Sequence, residues 1–418
     1  KIKGRQVFDS RGNPTVEAEI FSEDGHYASA IVPSGASTGT HEAFELRNKQ
    51  NKDYLGKSVL KSVKIINETI SKNLNNSDIF DQRKLDKILI DLDGTKQKNK
   101  LGANSILAVS IAASKVSAKI NKKSLFKNLG NSKILPLPLM NVINGGAHAN
   151  NSLRIQEFMI RPDSAKNFAD AIKICFLVIQ KLKYLINKRK LSTTVGDEGG
   201  FAPSLSSNEE AIEFIIESIE KAGYKPGDDV YIALDAASSE FYDNKNYNIS
   251  GENKNIGSDE LIKYYEKMIS SYPIISIEDP MSEDDIDGWK NITKTLGNKI
   301  QLVGADLFVT NVVKLKEGIK NKIANSILIK LNQIGTVTET FEAINLAKNN
   351  NYNNIISHRS GETEDIFLAN LAVDSNSGQI KTGSMARSER LSKYNELIRI
   401  EENINSKYPG KSIFNFLK

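Results

Sequence analysis

Six apolar runs in the second half of the chain each stop on a charged or small residue, and they recur at near-regular intervals. They are VYIALDA, IISIEDP, LVGADLF, SILIKLN, NIISHRS and QIKTG, with Asp235, Glu278, Ala305, Lys330, Arg359 and Lys381 at their C-terminal ends. The last four intervals are 27, 25, 29 and 22 residues. Helical patterns fill the gaps, so each repeat reads as a strand and a crossover helix, which makes successive strands parallel. That spacing suits a (β/α) barrel, in which functional groups gather at strand C-termini. An open doubly wound sheet is the alternative, but its ligand usually sits at one crevice. Here polar residues interrupt almost every strand end.

The unit from Gln301 to Asn332 places Lys330 among β-formers. A lysine inside an apolar strand must be solvated by something other than water or give up its proton. A lysine snorkelling from a strand end is the competing reading.

Upstream, residues 4–32 read as a three-stranded meander of GRQVFDS, TVEAEIF and YASAIVP, with turns at Arg11-Gly12-Asn13-Pro14 and Glu23-Asp24-Gly25. The loop PSGASTG follows. It lacks the P-loop pattern and is weak evidence for anion binding. One helix is predicted over 57–74 and another from Asn104, a good N-cap. These elements make an α+β N-terminal domain over 1–130. From Leu135 the rhythm changes, and 131–418 is expected to form the barrel, with its active site at strand C-termini. LPLPLMNVI and LRIQEFMI lead into a long helix. Ser207 to Glu210 opens the next with a capping-box pattern, and Gly223 closes it.

At 418 residues, two domains or a barrel with an appendage are the first expectation. No apolar run approaches a membrane span, and no basic-then-apolar leader stands at Lys1. The single Cys175 excludes an internal disulfide framework and fits a reducing compartment. The 56 basic and 51 acidic residues nearly balance, so scattered lysines read as solvated faces rather than a nucleic-acid surface.

Asp235 and Glu278 each close an apolar strand. Neighbouring carboxylates repel unless a cation or a shared proton holds them, and an all-oxygen pair points to Mg²⁺. Salt-bridge or N-cap roles are the alternative. Glu198 sits in GDEGG, a turn able to hold a carboxylate against a ligand, or simply solvated. Glu157 in IQEFMI would have its pKa raised if buried. His148 in GGAHAN reads in isolation as a loop histidine bonded to backbone. Arg359 and Ser360 follow His358. The arginine fork suits phosphate, and the next residues read as opening a helix whose N-terminus favours anions. A structural ion pair is the other reading. In a barrel, Lys330 and Lys381 point into the same mouth.

SRGNPT, PSGASTG, NGGAHA, IQEFMI, GDEGGFAP, SIEDP, LIKLNQIG, SHRSGETED, KTG and RIEE, in this order over nearly the whole chain, resemble the enolase family. The resemblance implies an α/β fold: a TIM-like barrel of ββαα(βα)₆ order behind a small α+β domain. It implies reversible dehydration of 2-phospho-D-glycerate to phosphoenolpyruvate by a cytoplasmic homodimer or higher homo-oligomer, with a cell-surface pool in some members. Two Mg²⁺ ions would stabilise the enolate. Lys330 would be the base and Glu198 the acid, with Glu157 beside it. His148, Gln156 and His358 would line the site. Arg359 and Ser360 would hold the phosphate, and Lys381 the carboxylate and hydroxyl region. Asp235 and Glu278 would ligate one Mg²⁺, and Ser37, from a closing loop, the second.

One position departs from the family, which has two successive Asp residues where this chain has Ala305-Asp306. Ala305 supplies no third ligand, and adjacent strand residues point to opposite faces, so Asp306 does not simply replace it. Weakened Mg²⁺ binding and reduced turnover are expected. A non-catalytic binding or scaffold role is the alternative, since some family members bind plasminogen or RNA-processing partners.

Overall fold

A computed structural model describes the chain except residues 36–38, 51, 76, 131–133, 250–254, 406–407 and 415–418. Strands β1 (Ile2–Phe8), β2 (Pro14–Phe21) and β3 (Tyr27–Ile31) form an antiparallel meander. Val16, Ala18 and Ile20 alternate inward on β2, as a half-buried sheet requires. Helix α1 (Gln82–Asp93) and the almost wholly buried α2 (Ala103–Ile120) lie in the same region, α2 against β2 and β3. Gly102, at φ +88°, is the N-cap of α2, so Asn104 is its second residue rather than the cap; its Oδ1 accepts from Leu46 and Ser105 N–H. The helix predicted over 57–74 runs from Leu60 to Asn73, with π-helical Ile65–Ile70 in its middle.

Eight strands close the barrel. They are β4 (Leu137–Asn144), β5 (Glu157–Arg161), β6 (Tyr231–Asp235), β7 (Ile274–Glu278), β8 (Gln301–Gly304), β9 (Ser326–Ile329), β10 (Asn353–Ser357) and β11 (Gln379–Lys381). Between and after them come α3 (Phe168–Lys188), α4 (Asn208–Lys221), α5 (Ser258–Ser271), α6 (Ile286–Leu296), α7 (Val312–Lys320), α8 (Val337–Asn349), α9 (Phe367–Asp374) and α10 (Ser388–Asn403). The order is ββαα followed by six βα units. Strands β4–β5 and β5–β6 pair antiparallel and the other neighbours parallel. The open doubly wound sheet is thereby excluded.

The interior is layered. At the strand N-terminal side, Gln301 donates to Ser276 Oγ (2.9 Å), and Gln379 and Asn353 donate to Gln301 (2.8 and 3.3 Å). Above them Leu139, Met159, Ala233, Val303, Ala305, Leu328 and Ile355 form an apolar cluster. Strand side chains alternate faces, so inward residues recur every second position. Two residues from Met159, Ala233 and Leu328, toward the mouth, stand Glu157, Asp235 and Lys330. Two residues from Val303 stands Ala305. The floor is thus apolar and the mouth charged.

Two sequence readings need correction. Regular strand ends at Gly304 and Ile329, so Ala305 and Lys330 lie just past the strands, and Lys330 is half-buried rather than enclosed in mid-strand. The helix after Arg359 begins only at Phe367, so Ser360 does not sit at a helix N-terminus. Among the described residues, no helix is long and apolar enough to cross a membrane.

Candidate active site

The centre of the mouth is a buried ammonium among carboxylates. Lys381, last residue of β11, donates to Asp235 Oδ2 and Glu278 Oε2, each at 2.8 Å, and pairs with Glu157 Oε1 at 3.0 Å. Asp235 and Glu278 end their strands and Glu157 begins its antiparallel one, and all four residues are buried. Burial works against charge on the lysine, but Asp235, Glu157 and Glu278 outweigh it and hold its pKa well above the usual range. The carboxyls separate. Burial, reinforced by the Asp235 charge, pushes Glu278 up to about 8. Burial also opposes ionisation of Asp235, yet the Lys381 charge and hydrogen bond leave it below its ordinary value.

A second pair lies beside this cage. Asn141 Nδ2 donates to Glu157 Oε2 and Glu198 Oε2, both at 3.3 Å. Burial and the neighbouring Glu198 charge push Glu157 well up. Glu198 is equally buried, but His358, His148 and Arg390 pull it well down. The two carboxyls of this coupled pair are thus pushed in opposite directions. His358 Nε2 is 3.2 Å from Glu198 Oε2. Arg390 donates to His358 Nδ1, and a guanidinium has no acceptor to offer. The ring proton is thus on Nε2, facing Glu198. Burial, with Arg390 nearby, lowers the His358 pKa to about 3. His148 does not hydrogen-bond backbone through its Nδ1. That atom is buried without a hydrogen-bond partner among the described residues and stands 3.7 Å from both Glu157 Oε1 and Glu198 Oε2.

The other rim carries the candidate anion clamp. Arg359 is buried, and its fork meets Glu42 at 3.0 and 3.2 Å and Asn332 Oδ1 at 2.8 Å. Burial opposes its charge, but Glu42 more than restores it. The structure thus shows the ion-pair reading of Arg359. Arg390 also donates to the carbonyls of Arg359 and Ser360, at 2.6 and 2.7 Å, and fixes that turn. Gln156 N–H donates to the Asp235 carbonyl at 2.9 Å, and its Oε1 is a buried acceptor with no partner among the described residues. Lys330 ends β9. Its charge reaches Asp235, Glu278, Asp306 and Glu42, with no ion pair within 4.0 Å among the described residues. Ser37 lies outside the described residues.

Ala305 is 1% exposed. Its N–H and that of Asp306 donate to the Asp279 carboxylate at 2.8 and 2.9 Å. Because β8 has already ended, the strict face alternation assumed for Asp306 does not apply. Its carboxyl is raised by burial and opposed by the Lys330 charge.

Glu42, Asn141, Asp279 and Arg390 escaped the sequence reading. Asn141 alone carried a signal, two residues beyond inward-facing Leu139 on β4.

The description "Enolase, N-terminal domain" matches residues 1–129, and "Enolase, C-terminal TIM barrel domain" matches 132–416. The "Enolase" of Pelagibacter ubique (strain HTCC1062) is 58% identical over 409 residues, covering 97% of each chain. The strand order, the charged mouth and these similarities agree: the chain belongs to the enolase family.

Proposed function

We propose the following division of labour for the reversible dehydration of 2-phospho-D-glycerate to phosphoenolpyruvate, the glycolytic reaction of this hydro-lyase. Lys330 takes the proton from C2. Glu198 passes a proton to the departing C3 hydroxyl, resupplied by the protonated Glu157 that shares Asn141 with it. His358 and His148 hold Glu198 in place. Arg359 and the Ser360 turn receive the phosphate, with Gln156 and Lys381 facing the rest of the substrate. Lys330 follows β9 and Glu157 opens β5, four places apart in the ring. Base and acid therefore approach from different arcs, as removal of groups from adjacent carbons requires.

The donor set fits Mg²⁺. Buried carboxylate oxygens of Asp235, Glu278 and Glu157 already converge on one cation, the Lys381 ammonium, and hard dications take oxygen ligands. Asp235 and Glu278 would hold the ion, Ala305 adding nothing, and Ser37 would serve a second. When bound, Mg²⁺ supplies Lewis-acid neutralisation of charge developing on the substrate carboxylate. A soluble cytoplasmic homodimer is the assembly we favour, on the family likeness alone.

The convergence of three acids on one cation, with Lys330 beside them, carries this reading. The test is phosphoenolpyruvate absorbance formed from 2-phosphoglycerate with Mg²⁺. Lys330→Ala should lose turnover by several orders of magnitude. Turnover near the parent level would overturn the base assignment, and none in the parent even at high Mg²⁺ would favour the scaffold reading.

A further inference from the structure

Two consecutive residues beside the base carry backbone strain. Val309 and Thr310, both β-branched and both fully buried, have φ of +41° and +55°. A β-branched residue in the left-handed region is sterically disfavoured and persists only where its surroundings over-determine it. The strained turn is hung on the end of β8, since the Ala305 carbonyl accepts from Val309 N–H at 2.8 Å. It aims Thr310 Oγ1 at Lys330. That oxygen accepts from Lys330 N–H at 2.9 Å and donates to Gln333 Oε1 at 3.0 Å. Gln333 is buried with every polar group engaged. Its N–H donates to the Lys330 carbonyl at 3.0 Å, its carbonyl accepts from Ala43 N–H at 2.8 Å, and its Nε2 donates to Glu42 Oε1 at 3.1 Å. Glu42 is the carboxylate on the Arg359 fork. A peptide N–H only donates and a carboxylate only accepts, so the hydroxyl and amide between them have one consistent orientation. A directed chain of hydrogen bonds thus joins the Lys330 backbone to Arg359 through two buried side chains.

We propose that Thr310 and Gln333 are positioning residues for the proton transfer, and that they act as one unit that sets Lys330 at a fixed place relative to the Arg359 clamp. The proposal rests on the roles of Lys330 and Arg359 given above. The clamp fixes the phosphate end of the substrate and the hydrogen-bonded chain fixes the base, so C2 is met in one geometry. Binding energy at a remote group is in this way used for orientation at the reacting carbon. Without the Thr310 hydroxyl, Lys330 N–H loses its acceptor and Gln333 Oε1 its donor. Without the Gln333 amide, the link to Glu42 is cut at the same chain's next member.

The test uses the whole protein with Mg²⁺ and follows exchange of the C2 proton of 2-phospho-D-glycerate with solvent deuterium by NMR, beside kcat, KM and Tm. Thr310→Val keeps the shape and removes the hydroxyl; Gln333→Met removes the amide. Each should lower C2 exchange and kcat together by about 10- to 100-fold, as a small displacement of a catalytic group does. KM should stay within about twofold, because the lost interaction is felt in the transition state rather than in binding. The double variant should be no slower than the slower single, as for members of one unit. Thr310→Ser keeps the hydroxyl and should exchange at the parent rate. Gln333→Met decides the matter where Thr310→Val does not fold. Parent-like exchange in the folded single variants, Thr310→Ser as slow as Thr310→Val, or losses that multiply in the double variant would each overturn the proposal. Exchange that survives Lys330→Ala would overturn the base assignment and this proposal with it, whereas exchange lost in Lys330→Ala but intact in the Thr310 and Gln333 variants overturns this proposal alone.

Discussion

Lys381 Nζ stands 2.8 Å from Glu278 Oε2, and the same ammonium serves Asp235 and Glu157. Taking three carboxylates out of water is costly, and only pairing offsets it. Removing the cation leaves them uncompensated, at a cost of about 3–5 kcal/mol. Lys381→Met should therefore lower Tm in metal-free buffer, and added Mg²⁺ should restore more of it than Mg²⁺ adds to the parent. Calorimetric unfolding with and without Mg²⁺ checks this; an unchanged metal-free Tm would refute it.

Arg390 holds the far side of the site through His358 Nδ1 and the carbonyls of Arg359, Ser360 and Asp197. It is a positioning residue. Small displacements of catalytic groups cost about 10²-fold, so Arg390→Met should lower kcat by about that much. A second readout separates positioning from general damage. Arg390 helps keep His358 neutral. Without it, His358 takes up a proton at higher pH, and the acid limb of kcat should move upward. A lower kcat with the acid limb unmoved would reduce Arg390 to a structural role.

Period-two alternation made Glu157, Asp235, Glu278 and Lys381 legible in the sequence, because each stands at one end of an apolar strand whose inward face is set by its neighbours. Lys330 was legible for the same reason, although its strand stops one residue earlier than propensity suggests. The helix after Arg359 was misplaced because Gly361, Glu362 and Thr363 bond back to the N-terminal meander, as in the Gly361–Ser34 bridge. Such partners are over three hundred residues apart. Glu42, in a loop 317 residues from Arg359, was illegible for that reason also. Arg390 is only 31 residues from Arg359, but it lies on a helix that reads as a charged face.

Asp374 offers a pH test away from the chemistry. It ends α9, where negative charge opposes the helix dipole. Burial pushes its pKa up to about 6, although Leu129 N–H donates to it at 3.0 Å. The folded value lies above the unfolded one, near 3.9. The folded chain then binds more protons between the two, and this residue's contribution falls as pH rises from about 4 to about 6. Asp374→Asn keeps the acceptor and removes the charge. Its Tm advantage should grow across that window and level off above it, reaching about 2–3 kcal/mol. A Tm difference independent of pH would contradict the assignment.

Ala305 lies two residues beyond Val303, toward the mouth, yet it packs with the apolar layer. A carboxylate introduced there would face Asp235 and Glu278 with Lys381 and Lys330 as the nearby cations. Without metal, Ala305→Asp adds a fourth acid to a buried cluster, and Tm should fall. With Mg²⁺ present, the same oxygen becomes a ligand. Affinity should rise by about tenfold or more, roughly 1.4 kcal/mol, and turnover at limiting Mg²⁺ should rise with it. The opposite signs distinguish a metal ligand from a merely tolerated substitution. Titration calorimetry measures the first and metal-free unfolding the second. Equal Mg²⁺ affinity in the two proteins would mean that Asp235, Glu278 and water already complete the coordination, and that the missing carboxylate costs this enzyme nothing.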